Sequence, residues 1–179
     1  MTVIVLDRDG VINHDSDDYI KSPDEFEPID GSLDAIALLS NNGFRLAVAT
    51  NQSGLARGLF DHYQLARIHQ KLLSAVEQQG GYIEGIFFCP HGPEEGCNCR
   101  KPRTGLIEQV ENEFGESVLG CYLVGDSLRD LQAASTYGCV PVLVRTGNGK
   151  ITEQELADKA LGDVQVFDDL LAFARTLVP

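Results

Sequence analysis

The sequence has no tryptophan, one methionine, and only 14 Lys and Arg against 27 Asp and Glu. The shortage of positive charge leaves a formal net charge of −13. Such a balance repels phosphate backbones and anionic lipid surfaces, so neither nucleic acid nor a membrane is an expected partner. Long apolar runs are also lacking; none approaches the roughly 20 residues that span a bilayer. The N-terminus lacks the basic segment, apolar stretch and cleavage site of a signal peptide, which predicts a cytoplasmic protein. There is no internal repeat, low-complexity tract or linker, so residues 1–179 are expected to form a single domain, with 43% apolar residues to fill its core. Cysteine is not scarce. Five in a cytoplasmic chain favour metal ligation or free thiols over disulfides.

What is present is organised around Val3-Ile4-Val5-Leu6-Asp7-Arg8-Asp9-Gly10. Four apolar residues rich in β-branching predict a buried strand. Two aspartates one residue apart then end it, and both can face one site because residues i and i+2 of a strand point the same way. Further strands are expected at Phe44 to Ala49, Tyr82 to Phe88, Gly120 to Val124, Val140 to Val144 and Val164 to Phe167. Helices are expected to start at Asp30-Gly31-Ser32 and end at Asn41-Asn42-Gly43, from about Asp61 to Gln79, after an N-cap at Thr104, after Asp130 up to Tyr137-Gly138, from about Thr152 to Ala160 and from Asp168 to Leu177. This alternation predicts an α/β fold, a parallel sheet with helices on both faces. Val11 to Pro28 is a long acidic loop above the end of the first strand, of a length that often carries function. His69 reads as a surface or packing residue and not a catalytic one, and Cys121 and Cys139 as buried packing residues.

The strand ends carry matching chemistry. The first supplies Asp7 and Asp9, the second Thr50 and Asn51, the fourth Asp126 and Asp130, and Lys101 lies between the third and fourth. Acids on adjacent strand ends make a hard oxygen site suited to Mg²⁺. A lysine and a hydroxyl beside the cation would hold an anion, an arrangement that describes phosphoryl transfer. A second cluster lies in one loop: Cys89-x-His91 and Cys97-x-Cys99 offer three thiolates and an imidazole, a set for tetrahedral Zn²⁺ with no open position and hence a structural role. Pinning this loop would aim Arg100 and Lys101 at the phosphate pocket.

These residues resemble the motifs of the haloacid dehalogenase (HAD) superfamily. Asp7-Arg8-Asp9-Gly10 is similar to its DxDG motif, Thr50 to its second motif, Lys101 to its third, and Gly125-Asp126-Ser127-Leu128-Arg129-Asp130 to its GDxxxD fourth. The resemblance implies a Rossmann-like core, here with no large cap domain. It implies Asp7 as nucleophile, Asp9 as general acid and base, and Thr50 and Lys101 on the phosphoryl oxygens. Mg²⁺ would be held by the Asp7 carboxylate, the Asp9 carbonyl and Asp126, with Asp130 in support.

The zinc loop running into Cys99-Arg100-Lys101-Pro102 resembles two branches of the superfamily, the heptose-bisphosphate phosphatases and the histidinol-phosphate phosphatases. Thr50 to Gly58 is similar to the heptose pattern, including Asn51, Gln52, Ser53 and Arg57; histidinol enzymes usually carry an acid where Ser53 stands. A neutral Ser53 with Arg57 and Arg100 nearby suits a second phosphate on a small sugar, whereas a cationic aminoalcohol would favour an acid. The substrate loop of these families is matched loosely by Asp15-Ser16-Asp17-Asp18-Tyr19, with Asp15, Asp18 and Tyr19 as expected sugar contacts; it carries one extra residue, and Ser127 stands where a lysine is common. DNA 3′-phosphatases share the DxDG chemistry, but the net charge argues against a DNA substrate. A monomer is expected.

Overall fold

The computed structural model describes residues 3–159 and 161–178. Its strands are β1 (Val3–Leu6), β2 (Arg45–Asn51), β3 (Gly85–Cys89), β4 (Tyr122–Gly125), β5 (Val140–Val144) and β6 (Gln165–Phe167). The helices are α1 (Ser32–Asn41), α2 (His62–Gln78), α3 (Gly105–Phe114), α4 (Leu128–Tyr137), α5 (Gly149–Glu155) and α6 (Leu170–Leu177). All strand pairs are parallel, in the order β3-β2-β1-β4-β5-β6.

The period of two along β1 sorts its side chains to opposite faces. Ile4 and Leu6 pack with Ile36 and Leu39 of α1, Ile68 and Leu72 of α2, and Phe173 of α6. Val3 and Val5 pack with Leu106, Ile107 and Val110 of α3 and Ala133 and Ala134 of α4. All four β1 side chains are fully buried, each a stabilisation of about 1.5–3 kcal/mol, so a polar substitution here would break the fold rather than tune it. Among the described residues no cap domain is inserted between these elements.

Strand order reverses beside β1. The chain goes outward through β2 and β3, then returns to β4 on the other side. In open α/β sheets the crevice outside the carboxyl ends at such a switch point is where ligands bind. Leu6 pairs with Val48 and with Val124, so β1 and β4 end nearly level while β2 runs on to Asn51 beside them.

β2 runs to Asn51, past the expected end at Ala49, β4 starts at Tyr122 and α6 at Leu170, and two starts shift further. Tyr82 and Ile83 continue the apolar look of β3, yet regular pairing starts at Gly85; Glu84 only donates its N–H to Leu46 O at 2.8 Å. α5 starts at Gly149 instead of near Thr152, because Asn148 O accepts from the N–H of Ile151 and of Thr152. Gly149 reads as a turn glycine, but it is needed inside the helix: a Cβ there would collide with Val144 O. A 3-10 turn, Leu156–Asp158, follows α5, and the expected helix end at Ala160 lies outside the described residues.

Candidate active site and thiolate cluster

Asp7 leaves β1 at the switch point, where its N–H donates to Val124 O at 2.9 Å. Asp7 Oδ1 accepts from the Arg8 N–H at 2.8 Å and faces Lys101 Nζ at 2.9 Å. Among the described residues none donates to Oδ2. Lys101 is 2% exposed, and its three ammonium protons have three acceptors: Asp7 Oδ1, Asp130 Oδ1 at 2.6 Å and Ala49 O at 2.7 Å. Burial opposes its charge, but Asp130 and Asp7 overcome that and hold its pKa above the usual lysine value. Asn51 places it, with Oδ1 accepting from Lys101 N at 3.0 Å and Nδ2 donating to Lys101 O at 3.1 Å.

Asp7, Asp126 and Asp130 each present an oxygen within 4.8 Å of the others. Burial and then Asp130 raise the Asp7 pKa well above the ordinary carboxylate value, and the same two causes push Asp126 up to about 7. One lysine therefore does not compensate three acids, and a hard dication held among these oxygens would supply the missing charge. Both Asp130 oxygens already have partners: Oδ1 meets Lys101, and Oδ2 accepts from Ser127 N at 3.1 Å and Ser127 Oγ at 2.6 Å. Asp126 Oδ2 accepts from Asn148 N at 2.8 Å, leaving Oδ1 for a ligand. Gly147, at φ +56°, lets this loop approach so closely; a Cβ there would strike the Asp126 carboxylate.

Asp9 sits beside this group under four donors. Oδ1 accepts from Arg8 Nε (3.0 Å), Arg8 Nη2 (2.8 Å) and Asn13 Nδ2 (2.9 Å), and Oδ2 from Gln52 Nε2 (2.9 Å). Burial opposes its ionisation, but the charge of Arg8 and these donors outweigh it and lower the pKa. Gln52 Nε2 also donates to Thr50 Oγ1 at 2.9 Å, which leaves the Thr50 hydroxyl proton free to point into the cleft.

The cleft above has a volume of about 330 Å³ and is lined by Asp7, Asp9, Thr50, Lys101 and Asp126, with Asp15, Tyr19, Ser53, Arg57 and Arg100 at its rim. Of the expected sugar contacts, Asp18 is not brought to it; that side chain is exposed, and the neighbouring Ser16 and Asp17 line the cleft instead. Two residues were missed from sequence. Arg129 joins Arg57 and Arg100 on the rim, and burial together with Arg129 lowers the Arg100 pKa, a sign of positive charge without an anion. Its place immediately before Asp130, on the first turn of α4, was the available signal. The other is Arg8, fully buried beneath the site; an arginine between two aspartates at a buried strand end was the clue.

The four zinc-type ligands converge. Cys89 Sγ lies 3.7 Å from Cys97 Sγ, 3.2 Å from Cys99 Sγ and 3.5 Å from His91 Nδ1, and His91 Nδ1 lies 3.3 Å from Cys99 Sγ. These separations are too long for disulfides. They approach the edge of roughly 3.5–3.8 Å that a tetrahedron of bonds about 2.0–2.3 Å long requires, so the set fits Zn²⁺. Burial pushes the Cys89 thiol up to about 12, so a thiolate there calls for a cation. Cys121 and Cys139 are buried packing residues, as expected.

Residues 98–173 match the model of a HAD-hydrolase-like family. The chain is 50% identical, over 99% of its own length and 98% of the relative's, to a D-glycero-β-D-manno-heptose-1,7-bisphosphate 7-phosphatase of Bordetella bronchiseptica. It is 49% identical, over 99% and 98%, to the enzyme of the same name from Pseudomonas aeruginosa. A crystal structure of the B. bronchiseptica D,D-heptose 1,7-bisphosphate phosphatase with magnesium and phosphate superposes with a TM-score of 0.93 at 50% identity, over 99% of this chain and 98% of that one. The Burkholderia thailandensis enzyme gives 0.76 at 42%, with the same coverage. The chain belongs to the D-glycero-β-D-manno-heptose-1,7-bisphosphate 7-phosphatase family of HAD-like hydrolases.

Proposed function

We propose that this chain is a Mg²⁺-dependent phosphatase that removes the 7-phosphate of D-glycero-β-D-manno-heptose 1,7-bisphosphate through an aspartyl-phosphate on Asp7. The carrying observation is the convergence of Asp7, Lys101, Asp126 and Asp130 at the switch point of the sheet. The relatives' names supply the sugar and the β anomer.

Asp9, ionised in the free protein under its donors, takes up a proton as the phosphate dianion binds; Asp7 then attacks phosphorus and the ester P–O bond breaks while Asp9 gives that proton to the departing C7 oxygen. Asp9, now a carboxylate, takes a proton from the water that hydrolyses the aspartyl-phosphate, and inorganic phosphate leaves. The free Thr50 hydroxyl donates to one phosphoryl oxygen, and Lys101, exchanging its contact to Asp7 Oδ1 for the phosphoryl group, donates to another as charge moves onto them. Mg²⁺, held by the Asp7 carboxylate, the Asp9 backbone carbonyl and Asp126, supplies the positive charge that lets a carboxylate meet a phosphate dianion. Arg57, Arg100 and Arg129 hold the second phosphate at the rim, Ser53 stays neutral beside it, and Asp15 and Tyr19 contact the sugar. Zn²⁺ on Cys89, His91, Cys97 and Cys99 is structural and fixes the loop that carries Arg100 and Lys101. We place the enzyme in the cytoplasm as a single-domain monomer; no described helix is long and apolar enough to cross a membrane.

Phosphorus NMR of the reaction tests this reading. The C7 monoester signal should vanish while the anomeric phosphate persists; loss of the anomeric phosphate first would reverse the assignment of the two phosphate positions.

A further inference from the structure

Arg8 is 0% exposed, and a buried guanidinium is tolerated only when its charge and its donors are met. Asp9 meets the charge through the paired Nε and Nη2 contacts. The other arm, Nη1, lies 3.1 Å from Nε2 of His69, a residue 9% exposed on α2 and tilted against Phe88 at 6.0 Å between centroids. Arginine has no acceptor, so His69 Nε2 must accept and the ring proton sits on Nδ1. Burial, followed by the Arg8 charge, lowers the His69 pKa to about 3, which keeps the ring neutral in that role. Of the donors around Asp9, Asn13 and Gln52 belong to loops, whereas Arg8 is braced from behind by a helix. Three donors on Oδ1 against one on Oδ2 make Oδ2 the oxygen that carries the transferable proton.

We propose that His69 is a positioning residue for proton transfer: its Nε2 fixes the Arg8 guanidinium, whose fork sets where Asp9 stands against the leaving oxygen. This rests on the reading of Asp9 as general acid. Small misplacement of a reacting group costs up to about 100-fold, so a residue with no path to substrate still controls the rate.

The test compares kcat/KM, which reports steps through phosphoryl transfer to Asp7, for two substrates. Heptose 1,7-bisphosphate needs its leaving alkoxide protonated; p-nitrophenyl phosphate releases a stable anion and does not. His69→Met removes the acceptor, and His69→Gln, of similar shape, keeps one. The expected result is a loss of about tenfold for His69→Met on the sugar, under about twofold on the aryl ester, and recovery to within about threefold in His69→Gln. Equal losses on both substrates, no loss, or a His69→Gln as poor as His69→Met would overturn the proposal. His69→Leu is the second acceptor-free variant. If it and His69→Met both fail to fold while His69→Gln folds, the residue is structural and the proposal is wrong. Asp9→Asn in the same assay separates the two layers. Should Asp9→Asn lose both activities equally, Asp9 is not the general acid; a sugar-biased Asp9→Asn beside an unbiased His69→Met rejects the role of His69 alone.

Discussion

The two ligand clusters are built in opposite ways. Cys89 ends β3 and His91, Cys97 and Cys99 follow it in one irregular loop, while Asp7, Asp126 and Asp130 are gathered across most of the chain by parallel strands and the start of α4. The thiolate set has little regular structure to hold it without an ion. The carboxylate set is held by β1, β4, α4 and a three-way contact through Lys101, and the charge crowded there opposes the fold. Removing a cation should therefore unfold one cluster and merely inactivate the other.

The largest expected effect breaks the carboxylate side. Asp7→Asn should lower turnover by about 10⁴-fold or more, and because it relieves repulsion among three acids it should raise the melting temperature of the Mg²⁺-free protein. Steady-state kinetics and calorimetry read both; an unchanged rate would remove the nucleophile assignment. The thiolate side answers differently. Cys99→Ser should lower stability by at least about 2 kcal/mol, roughly 4–8 °C in Tm, and reduce activity through the displaced Lys101. A Tm unaffected by this change would mean that the loop holds itself. A finer probe is Asn148→Ala, which removes the Nδ2 contact to Asp126 Oδ2 at 3.3 Å, keeps the backbone N–H at 2.8 Å, and should weaken Mg²⁺ binding by less than about tenfold in a magnesium titration while leaving the zinc content intact.

A pH measurement sharpens the comparison from beneath the site. The His69 pKa is about 3 in the fold against 6.5 in the reference state, so the unfolded chain binds the proton that the folded protein refuses. That contribution to stability is complete above about pH 6.5 and is lost as pH falls toward 3, at up to about 1.4 kcal/mol per unit. Urea midpoints from pH 3.5 to 7.5 should show a shallower acid limb in His69→Gln.

The thiolate cluster was legible because its ligands are adjacent in sequence and their chemistry is specific. The carboxylate cluster became legible only through the strand–helix alternation, which sets Asp7, Thr50 and Asp126 on neighbouring strand ends. Contacts made by a single side chain across elements were not legible. His69 read as a surface or packing residue; it is buried and packs, but its partner Arg8 lies on another element, where the turn of a buried guanidinium decides the contact. Asp17 and Asp18 are indistinguishable as letters; the turn at Tyr19, with φ +66°, decides which faces the cleft. The first turn of α5 was hidden by glycines that usually end elements and here permit close approach.

The most direct test of the account is phosphate release with Mg²⁺ from the two anomers of heptose 1,7-bisphosphate and from histidinol phosphate, side by side. A strong preference for the β-heptose bisphosphate is predicted, since three rim arginines require a second anion. A preference for histidinol phosphate would leave the fold and the Asp7 chemistry standing and contradict the substrate reading drawn from Ser53, Arg57, Arg100 and Arg129.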